Sequence, residues 1–260
     1  MLDERLITSL HVQELRRSEP HAEHEPHVLF QASTIGALLD GAYEGDVRFA
    51  ELAEHGDLGL GTLNGLDGEI IALDGSFFRA DVDGAIHGVS PDERTPFAVM
   101  VWFSPAVEFE LAEALDDDAF RSRLDERIPA GANSCALRIE GEFDLVRARS
   151  VPRQRPPYRP LTEVIEEQQV FDFHNARGTL VGFRFPDFAE GLEVGGYHLH
   201  FISDDGSRGG HVLSCSPRRV RVQIDPSNEL HVELPPGVDV TDAGLAQSTR
   251  EALDRAEHSG

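Results

Sequence analysis

His198, His200 and His211 are the residues whose type and spacing most directly suggest chemistry. They lie in the run Gly195-Gly196-Tyr197-His198-Leu199-His200-Phe201-Ile202-Ser203, the loop Asp204–Ser207, and Arg208-Gly209-Gly210-His211-Val212-Leu213. On a β-strand side chains alternate between faces, so His198 and His200 project to the same side. A hairpin centred between Asp205 and Gly206 pairs Ser203 with Arg208 and sets His200 opposite His211. Directly paired Cβ atoms lie about 5 Å apart and diagonal ones about 7 Å. Three imidazoles at those distances can converge on one ion through Zn–N bonds of about 2.0–2.1 Å. Any one of these histidines alone reads as a core or surface residue; the shared register is what argues for a joint role. Three protein ligands with no fourth nearby fit a catalytic zinc with an open position, and nitrogen ligation also suits other first-row metals.

The remaining composition limits what such a site can do. All 23 basic residues among the 260 are arginine. Without lysine there is no P-loop lysine, no pyridoxal-phosphate aldimine and no Schiff-base decarboxylase or aldolase. A formal net charge of −24 argues against a nucleic-acid or anionic-membrane partner. Cys135 and Cys215 are too few and too far apart for a disulfide framework or a CxxC metal site. The start Met1-Leu2-Asp3-Glu4-Arg5 carries no secretory h-region, and no apolar run approaches the ~20 residues of a membrane helix, so a soluble, cytoplasmic protein is expected. The tract His21–His27 (HAEHEPH) lacks periodicity and reads as a solvated loop.

The elements that must position the histidines follow from turn and period signals. Ser33 or Thr34 caps a short helix through Leu39, and a second helix is predicted over Val47–Glu54. Asn64-Gly65, Asp67-Gly68, Asp74-Gly75 and Asp83-Gly84 separate the runs Leu58–Leu63, Glu69–Leu73, Phe77–Asp81 and Ala85–Val89 into an antiparallel meander. Phe97–Phe103 reads as a central strand and Asp116–Ile128 as a polar helix. Cys135–Ile139 and Phe143–Arg149 read as strands around Gly141. Pro152–Pro160, with four prolines, is the candidate domain boundary. Beyond it come a helix over Leu161–Gln169, strands Val170–Phe173, Thr179–Phe185, Tyr197–Ser203, Gly210–Ser214, Arg219–Ile224 and Leu230–Leu234, and a terminal helix over Asp242–Glu257. The expected fold is α+β: residues 1–155 and 156–260 as two domains, each with its own sheet and few peripheral helices.

Over nearly its whole length the chain resembles the α-acetolactate decarboxylases. Gly61-Thr62-Leu63-Asn64-Gly65-Leu66-Asp67-Gly68-Glu69 and Leu73-Asp74-Gly75 are similar to the family's N-terminal signature. Val151-Pro152-Arg153-Gln154 and Gly178-Thr179-Leu180-Val181-Gly182-Phe183-Arg184 are similar to its middle section. Gly196–Ser203 with Gly209–Leu213 resembles its metal-binding block. Glu193-Val194-Gly195 departs from the family, which often has Asn and Pro there, without removing a ligand.

The resemblance implies conversion of 2-acetolactate to acetoin and carbon dioxide, on a two-domain α/β fold with a mixed sheet in each domain, often assembled as a homodimer. It implies that His198, His200 and His211 hold Zn2+, that Glu69 is an acid/base carboxylate with Thr62 beside it, and that Arg149 binds substrate. A second carboxylate close to the C-terminus is best matched by Glu257, with Glu251 nearby. The chemistry is coherent with the composition: decarboxylation of a 2-hydroxy-3-oxo acid leaves an enediolate, which a chain without lysine must stabilise through a Lewis acid. From the residues alone, Glu69 also reads as an exposed strand-start carboxylate and Arg149 as one of a surface group with Arg147, Arg153, Arg155 and Arg159. Two other functions stay open at this point: a zinc-hydroxide hydratase or hydrolase, and a non-catalytic metal-binding protein.

Overall fold

The computed structural model describes residues 11–15, 25–189 and 191–234. Two sheets carry most of them. The larger has eight strands in the order β1-β15-β2-β9-β4-β5-β6-β7. These are β1 His11–Leu15, β2 Val28–Ala32, β4 Leu58–Thr62, β5 Glu69–Leu73, β6 Ser76–Ala80, β7 Ile86–Gly88, β9 Phe97–Val101 and β15 Glu229–Glu233. The smaller has the order β10-β14-β11-β12-β13, from β10 Val107–Leu111, β11 Ser134–Ser150, β12 Gln169–Phe185, β13 Gly196–Ser203 and β14 Gly209–Ser227. Because β13 also pairs with β14, strands β11 to β14 close on themselves. A two-residue pair, β3 Val47–Arg48 with β8 Arg94–Thr95, completes the strands.

Helices are short and peripheral: α1 Ile35–Leu39, α2 Phe49–Leu52, α3 Asp117–Asp125 and α4 Leu161–Val164. Thr34 caps α1 by accepting from the Ala37 N–H at 3.1 Å, and Asp116 caps α3 by accepting from Ala119 at 2.8 Å. Phe120 and Leu124, one turn apart on α3, are the residues that dock it on the smaller sheet.

The meander of turn-separated strands is present with nearly the expected bounds. At its tightest turn Asp74 and Gly75 both take positive φ, 50° and 73°, as a type I′ turn requires. Elsewhere the structure differs. The runs expected as separate strands on either side of Gly141 form one 17-residue strand, β11. Gly141, at φ +148°, lies against β14, where a Cβ would stand 2.2 Å from the Arg219 carbonyl oxygen. Val170–Phe173 and Thr179–Phe185 likewise fuse into β12, and Gly210–Ser214 and Arg219–Ile224 into β14. Polar residues break the hydrophobic run in each case; β11 keeps one register with β12, and against β14 its pairing continues past bulges around Phe143 and between Arg147 and Ala148. Only Phe49–Leu52 of the helix expected over 47–54 is helical, since Val47 and Arg48 pair with β8. The expected helix after Pro160 ends as a 3-10 turn, Ile165–Glu167. The terminal helix over Asp242–Glu257 lies outside the described residues.

Nor do the sheets follow one another along the chain. β11 precedes the proline-rich stretch yet belongs to the smaller sheet, and β15 returns to the larger one. The sheets share a core: Leu60, Ile71, Val99 and Val101 pack with Ala136, Val181, Phe183 and Ile202. Arg138 of β11 reaches Asp74 at the β5–β6 turn at 2.6 Å, a second tie between them. No helix among the described residues is long and apolar enough to cross a membrane.

Candidate active site

The pocket lies where β5 of the larger sheet faces β13 and β14 of the smaller. Alternation along each strand decides what enters it. On β5, Ile70 and Ala72 pack on the outer face beside Phe49 and Leu52, whereas Ile71 joins the core between the sheets, and Glu69 shares its side. On β13, Leu199 and Phe201 fill the interior of the smaller sheet, whereas Ile202 joins the inter-sheet core, and His198 and His200 share that side. The histidines are thus polar members of an otherwise apolar, water-excluding face.

The hairpin has the expected register. Ser203 N–H donates to the Arg208 carbonyl at 2.9 Å, and His200 pairs with His211. Arg149 of β11 is the partner of His211 on the other side. Ring centroids of the three histidines lie 5.1–5.3 Å apart, and their ligand atoms all fall within 4.8 Å of one another. Nδ1 of His211 is 3.3 Å from Nε2 of His200. Two nitrogens bound tetrahedrally to one zinc at about 2.0–2.1 Å stand about 3.3–3.4 Å apart, so this pair fits a shared ion. His200 Nδ1 is 2.7 Å from the Ile70 carbonyl oxygen. That contact assigns the proton to Nδ1 and turns the Nε2 lone pair inward. Burial, and then the neighbouring His211 and His198, hold the His200 pKa well below the ordinary value, which keeps the ring neutral and able to ligate.

Glu69 and Arg149 face this group. Both are buried, so the surface alternatives for them do not apply. Arg149 Nη1 donates to Glu69 Oε1 at 3.3 Å, and Glu69 Oε2 stands 3.7 Å from His200 Nε2. Other arginines of the same stretch do make surface pairs, Arg153 with Asp67 and Arg159 with Glu167. Thr62 is the direct cross-strand neighbour of Glu69, and its hydroxyl donates to the Gly68 carbonyl at 2.9 Å. Glu257 and Glu251 lie outside the described residues.

Apolar side chains form the rest of the wall: Ile35, Leu38, Leu66, Phe97, Val151 and Leu161. The space between these walls, open mouth included, is about 430 Å³. Sequence reasoning gave no role to this wall, nor to Glu193, which lies behind His198 and figured only as part of a departure from the family. The one signal for Glu193 was an acidic residue set between Leu192 and Val194 just before the ligand strand. The Ile70 carbonyl has no side-chain signal at all.

Two packed sheets burying a three-histidine group beside an arginine and a glutamate define a β-rich protein with a candidate metal centre. The family model described as alpha-acetolactate decarboxylase matches residues 29–247. An alpha-acetolactate decarboxylase of Methylococcus capsulatus is 46% identical over 235 residues, covering 90% of each chain. That of Klebsiella aerogenes is 40% identical, again over 90% of each. The crystal structure of alpha-acetolactate decarboxylase from Bacillus subtilis strain 168 superposes with a TM-score of 0.84 at 36% identity, covering 89% of this chain and 99% of that one. The chain belongs to the alpha-acetolactate decarboxylase family.

Proposed function

We propose that this protein decarboxylates 2-acetolactate to acetoin, with a zinc ion held by His198, His200 and His211. The observation that carries this reading is the convergence of Glu69 and Arg149 on the histidine group inside one buried, apolar-walled pocket. Family membership supports the reaction. The donor set supports the ion: among the described residues the group has three members, as in catalytic sites that keep a position open, whereas structural zinc ordinarily takes four protein ligands. When bound, zinc supplies a Lewis acid for the negative charge that develops on substrate oxygens.

The chain's own residues do the rest. Arg149 offers a planar guanidinium that holds the substrate carboxylate by charge-assisted hydrogen bonds. The apolar wall receives the methyl groups and excludes water from the reacting carbon. As the bond to the carboxylate carbon breaks, carbon dioxide leaves neutral and its bonding pair stays on the substrate. Glu69, carrying a proton on its carboxyl, delivers that proton to the carbon and regains one from solvent, so the reaction consumes one proton overall. Thr62 lines the pocket beside Glu69, and Glu257 is proposed as the second carboxylate.

The test measures acetoin by a colorimetric assay from added acetolactate, using protein purified without a histidine tag. Acetoin should form, stop on complete demetallation and return with zinc; His200→Ala should lose about one bound ion per chain together with activity. An absence of acetoin would sink the reaction, and acetoin undiminished after demetallation would sink the metal's part in it.

A further inference from the structure

Glu193 sits in the turn between the 3-10 segment Asp187–Ala189 and β13, with its side chain 1% exposed. Its Oε2 stands 3.7 Å from His198 Nδ1 and accepts from the Val194 N–H at 2.9 Å. The backbone around it is clamped from several sides. Gln31 of β2 donates to the Leu192 carbonyl at 2.7 Å, and the Ile35 and Gly36 N–H groups at the start of α1 donate to Leu192 and Gly191, each at 3.1 Å. The Glu193 N–H itself donates to Ala189 at 3.0 Å. The carboxylate is thus held against one particular ring.

We propose that Glu193 is a positioning residue for the metal: an ionised carboxylate behind His198 that keeps Nδ1 turned away, presents Nε2 to the pocket and complements the charge of the bound cation. The inference rests on the reading that the three histidines hold zinc. At 3.7 Å the contact is longer than a hydrogen bond, so its effect is one of charge and ring orientation. Burying an ionised carboxylate is costly unless a cation compensates it. A divalent cation on the far side of His198 adds a strong compensating charge. Carboxylates behind metal-binding histidines raise ligand basicity and affinity in this way. The charge of Glu193 therefore favours the loaded chain over the metal-free one. A side chain that only packs would contribute equally in the two states.

The experiment is competition for Zn2+ against a chromophoric chelator, with melting curves of the metal-free proteins in parallel. Glu193→Gln keeps the size of the side chain and an acceptor for Val194. It should bind Zn2+ about 10–100-fold more weakly than wild type, while its metal-free form melts at the same temperature or higher. A zinc dissociation constant within twofold of wild type, or a lower metal-free melting temperature matched to the loss of affinity, overturns the proposal. If Glu193→Gln does not fold, Glu193→Asp must hold Zn2+ more tightly than Glu193→Asn, and equal affinities overturn it equally. Wild-type protein that binds no zinc fails the metal reading itself; wild type that binds one ion while Glu193→Gln matches it fails this inference alone.

Discussion

Glu69 and Arg149 are joined by a 3.3 Å hydrogen bond between two buried side chains, so what Glu69 can do depends on what Arg149 holds. Glu69→Gln keeps an oxygen for Arg149 but carries no transferable proton. It should lower kcat by about 10²–10⁴-fold while leaving zinc content unchanged. Acetoin still formed should lose stereochemical purity, because water can protonate either face. Chiral chromatography of the product checks this; full enantiomeric purity at a kcat near wild type would remove Glu69 as the donor. The three histidines were legible in the sequence because strand period and hairpin symmetry are local rules, and both hold here. Burial of Glu69 and Arg149 was not, because it depends on a second sheet whose approach no local pattern encodes. Glu193 was hidden for the same reason: its neighbour His198 is close in sequence, but the clamp that aims it comes from Gln31 and α1.

The β13–β14 hairpin sets the histidine register, and its turn is held by one carboxylate. Asp205 Oδ1 accepts from the Ser203 hydroxyl at 2.7 Å, the Ser207 hydroxyl at 2.7 Å and the Ser207 N–H at 3.0 Å. Those bonds, that from Ser203 foremost, pull its pKa down from 3.8 to about 2. The folded value lies below the unfolded one, so the stabilisation is fully present above about pH 4 and is lost as pH falls toward 2. Asp205→Ala should therefore melt below wild type by a constant margin from pH 7 to 5, with the gap closing as pH drops under 4. A margin at pH 3 equal to that at pH 7 would show that the turn does not depend on the ionised carboxylate. At this scale the short meander strands were legible because an Asn-Gly or Asp-Gly turn punctuates each of them. The long strands β11, β12 and β14 read as pairs of short ones, since polar residues in their middles interrupt the hydrophobic pattern, whereas β11 stays paired with β12 and resumes its pairing with β14 past the bulges around Phe143.

Over the whole molecule, the excess of acid sets how an anionic substrate arrives. The chain carries 47 Asp and Glu against 23 Arg, and many of the arginines are committed to surface pairs such as Arg221 with Glu108 and Arg218 with Asp144. A net charge of −24 repels a keto-acid anion at long range. Attraction must then be local, from Arg149 and the ion proposed for the histidine group, inside a cavity whose walls are otherwise apolar. Salt screens the two contributions unequally. The surface repulsion acts through solvent and fades once the Debye length falls to about 10 Å near 0.1 M, whereas buried contacts are screened far less. kcat/KM should therefore rise with a weakly coordinating salt from a few millimolar to about 0.1 M and then level off, with kcat nearly constant because the bound complex is shielded. Initial-rate measurements over that range, at fixed zinc and pH, decide the matter. A steady fall in kcat/KM from the lowest salt upward would mean that the approach is steered by positive charge, against the distribution this chain carries.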